Sequence, residues 1–202
     1  MKLGLLLSTL IAGFVCTSVS TAQTQLVRGD VDSIQGTNRF VLDCTFIELV
    51  SSTVNLQALE NQSRQSDIEF DMQVQVVSTN PTVLNVISAT VAPEMMQMGN
   101  LRLGETDSWE VNGTPGSNAW VFLGDRAFTL YGPAGPLGTW VLGGPVALLN
   151  QGTIAFNGQF RFNFTMPNQP LFLGTEITAQ AIVQLPAGNF LITNPDCKEI
   201  EN

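Results

Sequence analysis

The chain has 202 residues, with 8 basic and 17 acidic side chains, no histidine and a net charge of −9. An acidic chain without a basic cluster repels phosphate backbones and anionic lipid, so nucleic acid is not an expected partner. The lack of histidine removes Ser-His-Asp and Cys-His catalysis and imidazole-bound zinc.

Met1-Lys2 gives a short basic start, and Leu3 to Val15 is apolar except at Ser8 and Thr9. Ser20-Thr21-Ala22 then supplies small residues where a signal peptidase reads. Residues 1–22 are therefore expected to be a secretory signal peptide, too short to cross a bilayer as a helix. No later apolar run approaches the ~20 residues of a membrane span, so a transmembrane protein is not expected. The expected location is secreted, extracellular or at the cell surface. Cleavage near Ala22 removes Cys16 and leaves two of the three cysteines, Cys44 and Cys197. In an exported chain such a pair reads as one disulfide, with two free thiols as the alternative.

The mature chain divides into two expected β units, residues 23–98 and 99–202. From Gly99 onward stand 14 of the 18 glycines and 8 of the 10 prolines, so the second unit has shorter strands and tighter turns. In the first, Leu26 to Ile34, Arg39 to Val50 and Val83 to Val91 read as strands. Gln57 to Gln62 reads as a short helical turn. Asp67 to Val76 alternates strictly, with Ile68, Phe70, Met72, Val74 and Val76 on one face and polar residues on the other. A small barrel or open sandwich is expected. The pattern Val27-x-Gly29-x-Val31 before a long strand resembles OB-type barrels.

The second unit reads as an antiparallel sandwich. Asn157-Gly158 is a preferred two-residue hairpin turn, predicting Thr153 to Phe156 paired with Gln159 to Thr165. Phe160, Phe162 and Phe164 alternate with polar residues and face one core. Ile177, Ala179, Ala181 and Val183 share a face of the strand from Thr175 to Gln184. Trp120-Val121-Phe122-Leu123-Gly124 and Trp140-Val141-Leu142-Gly143-Gly144 are alike, as two strands filling similar core positions. The fold class is therefore all-β, two packed antiparallel units.

Residues Asn112 to Trp120, Leu148 to Phe164, Met166 to Gly174 and Ala179-Gln180-Ala181 carry a family likeness. Through them, residues 101–195 resemble a C-terminal β-sandwich module of uncharacterised secreted proteins of planctomycete-type bacteria. The resemblance implies export and a sandwich. It brings no catalytic residues, because that family has none assigned.

Three chemistries remain open to the side chains. Asp67, Glu69 and Asp71 share a strand face; they read as a solvated face, as carboxylate ligands for Ca²⁺, or as a hydrolase acid pair. Trp109 and Tyr131 lie in polar or loop-like contexts and are candidate exposed rings for stacking on a sugar. Arg28-Gly29-Asp30 is an adhesion-type triplet placed in or beside a strand. No catalytic residue is expected. The expected role is a non-enzymatic surface or envelope protein that contacts cell-surface polysaccharide or an envelope protein. The alternatives are a carbohydrate-binding module and, behind it, a carboxylate hydrolase.

Overall fold

A computed structural model describes residues 24–66 and 68–202 of the chain. The expected signal peptide and Asp67 lie outside the described residues. Among the described residues the fold is all-β, with one short α-helix.

The first sheet has six strands: β1 (Gln25–Gly29), β2 (Val31–Ser33), β3 (Phe40–Leu42), β4 (Glu48–Val50), β5 (Glu69–Thr79) and β6 (Thr82–Ala92). Their spatial order is β1-β5-β6-β4-β3-β2, antiparallel except for β4 beside β6. Only Asp30 separates β1 from β2 in the chain, yet they stand at opposite edges. The sheet therefore curls until its edges meet at the Gly29–Asp30 bend, without closing a barrel. Gly29 permits this bend: its φ is +154°, and a Cβ there would lie 2.8 Å from Leu42 Cδ1. Val27, Leu42, Phe70, Met72, Val74, Leu84 and Val86 fill the curl, as the period-two alternation of β5 requires.

The expected helical turn is a full helix, α1 (Leu56–Ser66). Asn55 Oδ1 caps it by accepting from Ala58 N at 3.1 Å. Its buried face, Leu56, Glu60 and Ser63, packs beside β2, where Glu60 accepts from Ser33 Oγ at 2.6 Å.

The expected strand from Arg39 to Val50 is interrupted. Cys44 has φ 61°, and Thr45 Oγ1 donates to Leu42 O at 2.7 Å while accepting from Ile47 N at 3.0 Å. These local bonds satisfy the backbone in a turn, and Cys44 sits at its left-handed position.

The remaining strands are β7 (Met96–Gln97), β8 (Thr106–Asn112), β9 (Asn118–Asp125), β10 (Gly132–Pro133), β11 (Thr139–Trp140), β12 (Ala147–Thr153), β13 (Gln159–Thr165), β14 (Glu176–Gln184), β15 (Phe190–Ile192) and β16 (Asp196–Glu199). They form a sandwich. One sheet runs β12-β9-β14-β15, with β16 also on β14; the other runs β13-β8-β7. Between them lie Trp109, Val111, Ala119, Val121, Ala179, Ala181 and Val183, flanked by Phe160, Phe162 and Phe164. Residues 126–146 cover the outer face of the larger sheet. There Trp140, Leu142 and Ile192 pack on Phe122, with Trp120 alongside. The two tryptophan segments thus meet in one small core.

The expected Asn157-Gly158 hairpin is corrected. β12 pairs with β9 and β13 with β8, so the turn carries the chain from one sheet to the other. Gly158 has φ +84° and Asn157 is not in the left-handed region, so the type I′ geometry is not formed. Gly158 N instead donates to Ala155 O at 2.9 Å.

Candidate functional site

Cys44, in the turn after β3, and Cys197, in β16, are bridged, with 5.4 Å between their Cα atoms. The bridge joins the curled sheet to the sandwich across 153 residues of sequence. Around it lie buried polar bonds, some within the sandwich and some between the two units. Asn194 Oδ1 accepts from Met95 N and Met96 N at 2.8 and 2.9 Å. Asn194 Nδ2 donates to Glu69 Oε1 and Met96 O, each at 3.1 Å. Thr139 Oγ1 donates to Leu26 O at 2.8 Å, and Val141 enters the core of the curled sheet. Phe46 lies under the Arg126 guanidinium, 5.7 Å from ring centroid to charge. Gln180, fully buried in β14, accepts from Val141 N and donates to Thr139 O and Thr193 O.

Acidic side chains gather at this junction, and burial governs their protonation. The Glu69 carboxyl is pushed up to about 9, first by burial and then by repulsion from Asp30, Glu94, Asp43 and Asp196. Burial, with Asp43 next, raises Asp30 to about 6 against the bond from Ser63 Oγ. Burial raises Asp43 and brings Asp196 to about 6, although Met98 N donates to Asp196 Oδ2.

The expected solvated face of β5 is corrected at Glu69, which is only 8% exposed because the Thr193–Pro195 segment covers it. Asp71 is directly opposite Arg28 in the β1–β5 ladder and accepts from its Nε and Nη2 at 2.6 and 2.7 Å. Glu69 and Asp71 therefore have separate protein partners. Among the described residues, Asp43, Cys44 and Cys197 bring potential metal-ligand atoms together, but both sulfurs are bonded to each other and supply no thiolate. The Arg28-Gly29-Asp30 triplet is not displayed on a loop tip. Arg28 is held by Asp71 and Asp30 by Ser63.

Both expected sugar-stacking rings are corrected. Trp109 is 0% exposed in the sandwich core, with its ring 5.1 Å from Phe164 and 6.0 Å from Phe162. Its polar neighbours in sequence misled because β8 alternates, and Trp109 takes the inward position. Tyr131 packs against the core of the curled sheet and donates from its hydroxyl to Gln25 Oε1 at 2.5 Å. Burial raises its pKa further.

A polar cavity of about 380 Å³ opens instead on the sandwich surface. Gln97, Asn100, Asp107, Glu110, Arg161 and Lys198 are among its lining residues. Asp107 holds the rim by accepting from Asn100 N and Ser108 N at 2.8 and 2.7 Å. Glu110 faces Arg161 across β8 and β13 and accepts from its Nε at 2.7 Å. These residues come from four separate segments, so their proximity has no signature along the sequence. The junction residue Asn194 was equally unmarked, and Gln180 stood out only within the Ala179-Gln180-Ala181 likeness, with no sign of its buried bonds. No family model matches this sequence, and no curated protein is detectably similar to it.

Proposed function

We propose that the protein is exported and acts as a non-enzymatic interaction or structural component of the cell surface or envelope. The observation that carries this reading is the engagement of its carboxylates in architecture. Asp71 pairs with Arg28, Asp30 accepts from Ser63, Asp107 and Asp196 hold backbone amides, and Glu110 pairs with Arg161. A bridge and the buried bonds from Asn194 to Glu69 and from Thr139 to Leu26 fasten the two β units, giving a stiff body suited to presenting surfaces. The likeness of residues 101–195 to a secreted bacterial module and the expected signal peptide accord with it. Retention of the purified mature chain on whole cells or isolated cell-wall material is expected. Passage through both without retention contradicts the proposal.

Carbohydrate binding is the second reading, now placed at the polar cavity. Its lining offers amides, carboxylates and cations that hydrogen-bond hydroxyl groups, and its volume is in the range of small-ligand sites. A glycan panel that identifies a binder lost in Glu110→Ala supports it. No binding across the panel rejects it.

A further inference from the structure

The smaller sheet of the sandwich has one face in the core and one in water. Trp109 and Val111 of β8 point inward, so Glu110 between them points outward. The ladders set Gln97 of β7 on one side of Glu110 and Arg161 of β13 on the other. An amide, a carboxylate and a guanidinium thus stand in one row across three strands, and that row lines the polar cavity. Asn100, Asp107 and Lys198 line it from the loop after β7, from β8 and from β16. Gly99 lets the loop press on β8, since a Cβ there would lie 2.7 Å from Asp107 Cγ and 2.8 Å from Ser108 O.

The carboxylates of this lining are engaged, and one of its cations is not. Asp107 accepts from Asn100 N through Oδ2 and from Ser108 N through Oδ1. Glu110 accepts from Arg161 Nε through Oε2 and from Gln159 Nε2 through Oε1. Each of the six arginines lies in an ion pair. Lys198 is the only lysine after Lys2, and among the described residues its ammonium forms no ion pair, in a chain with 17 acids against 8 bases. Asp43 and Asp196 feel its charge only across space, and Asp196 Oδ2 accepts from Met98 N.

We propose that the cavity is a sugar-acid site, in which Lys198 pairs with a single carboxylate while Gln97 and Asn100 bond ring hydroxyls. The inference rests on the carbohydrate reading of this cavity and names the class of sugar. A bond between ammonium and carboxylate is charge-assisted, and stronger than those the amides make to hydroxyls. The net charge of −9 opposes anions at long range, which disfavours a polymer with a carboxylate on every unit. At physiological salt that field decays over about 8 Å, so the groups lining the cavity govern a ligand with one carboxylate. An amine-bearing sugar would meet carboxylates that already hold donors, beside an ammonium of like charge.

The test is a chemical-shift titration of the isotope-labelled mature chain with its bridge intact. The probes are the methyl glycosides of glucose, galactose and mannose, each matched with that of its uronic acid. At least one uronide is expected to move the amides of Gly99, Ser108 and Lys198, and to bind about 3- to 10-fold tighter than its neutral partner. Lys198 is exposed, so Lys198→Met and Lys198→Arg are expected to keep the wild-type melting temperature. The first is expected to erase the preference and the second to retain it. Sodium acetate, a carboxylate without hydroxyls, is expected to bind more weakly than the uronide, and acetate binding as tightly overturns the proposal. Equal binding within every pair, or a preference that survives Lys198→Met, overturns it and leaves the carbohydrate reading standing. No shift with any sugar removes both.

Discussion

The sandwich flank closed against the curled sheet and the open flank of β12 and β13 are made from the same kinds of strand, yet they differ in where their polar groups go. On the closed flank, side chains finish what the ladders leave undone. Asn194 binds the Met95 and Met96 amides, Thr193 Oγ1 accepts from Ala181 N, and Asp196 accepts from Met98 N. On the open flank, β12 and β13 are sheet edges with exposed apolar groups nearby, and only the head of β13 is covered, where Ala155 N and Asn157 Oδ1 bond the outward carbonyl and amide of Gln159. A sheet edge can thus be closed within a molecule by buried amides and carboxylates, or left open. The difference makes the closed flank a source of stability.

Breaking the closed flank is expected to cost most at the bridge. Cys44→Ala with Cys197→Ala removes a cross-link over 153 residues. Chain entropy assigns such a loop about 4–5 kcal/mol, which a denaturant titration against wild type measures. Asn194→Ala comes next. It strands the Met95 and Met96 amides, and orphaned buried groups cost about 1–3 kcal/mol each, so a loss of about 3–4 kcal/mol is expected. A loss below about 1 kcal/mol would show that water replaces the amide there.

Acidity acts on the same flank in a defined direction. Asp30 and Asp196 rise from 3.8 to about 6, and Glu69 from 4.5 to about 9. The folded state therefore holds more protons than the unfolded state between these values. That contribution to stability is full below the unfolded pKa values and is lost as pH rises through the folded ones. The melting temperature is expected to fall from about pH 5 to about pH 9 through these groups, and Glu69→Gln is expected to flatten the upper part of that decline. An unchanged slope in Glu69→Gln would remove Glu69 as the cause. The open flank supplies the contrasting small effect. Phe156→Ser is expected to change stability by less than about 0.5 kcal/mol, measured by the same denaturant titration.

The strands were legible wherever one face is buried and the other wet. β5 alternates from Phe70 to Val76 in this way, and β14 sets Ala179, Ala181 and Val183 inward by the same period, although Thr178 and Gln180 on its other face are buried as well. The cysteine pair was legible once Cys16 is assigned to the expected signal peptide, which leaves Cys44 and Cys197. Other features depend on distant contacts. Glu69 reads as a surface carboxylate until the Asn194 segment covers it, and Trp109 reads as exposed until β8 turns it inward. The Asn157-Gly158 turn was visible as a turn, but local sequence does not say whether the flanking strands pair with each other or with different sheets. The polar cavity draws on four segments, so only the folded chain brings Gln97, Asp107, Arg161 and Lys198 together.

The contrast between the flanks is tested most directly by residue-resolved hydrogen exchange on the bridged chain. The amides of Met95, Met96 and Ala181, held by buried side chains, are expected to exchange only through global unfolding. The outward amides of Arg161 and Asn163 in β13 are expected to exchange fast. Met95 and Met96 exchanging as quickly as these β13 amides would contradict the division into a closed flank and an open one.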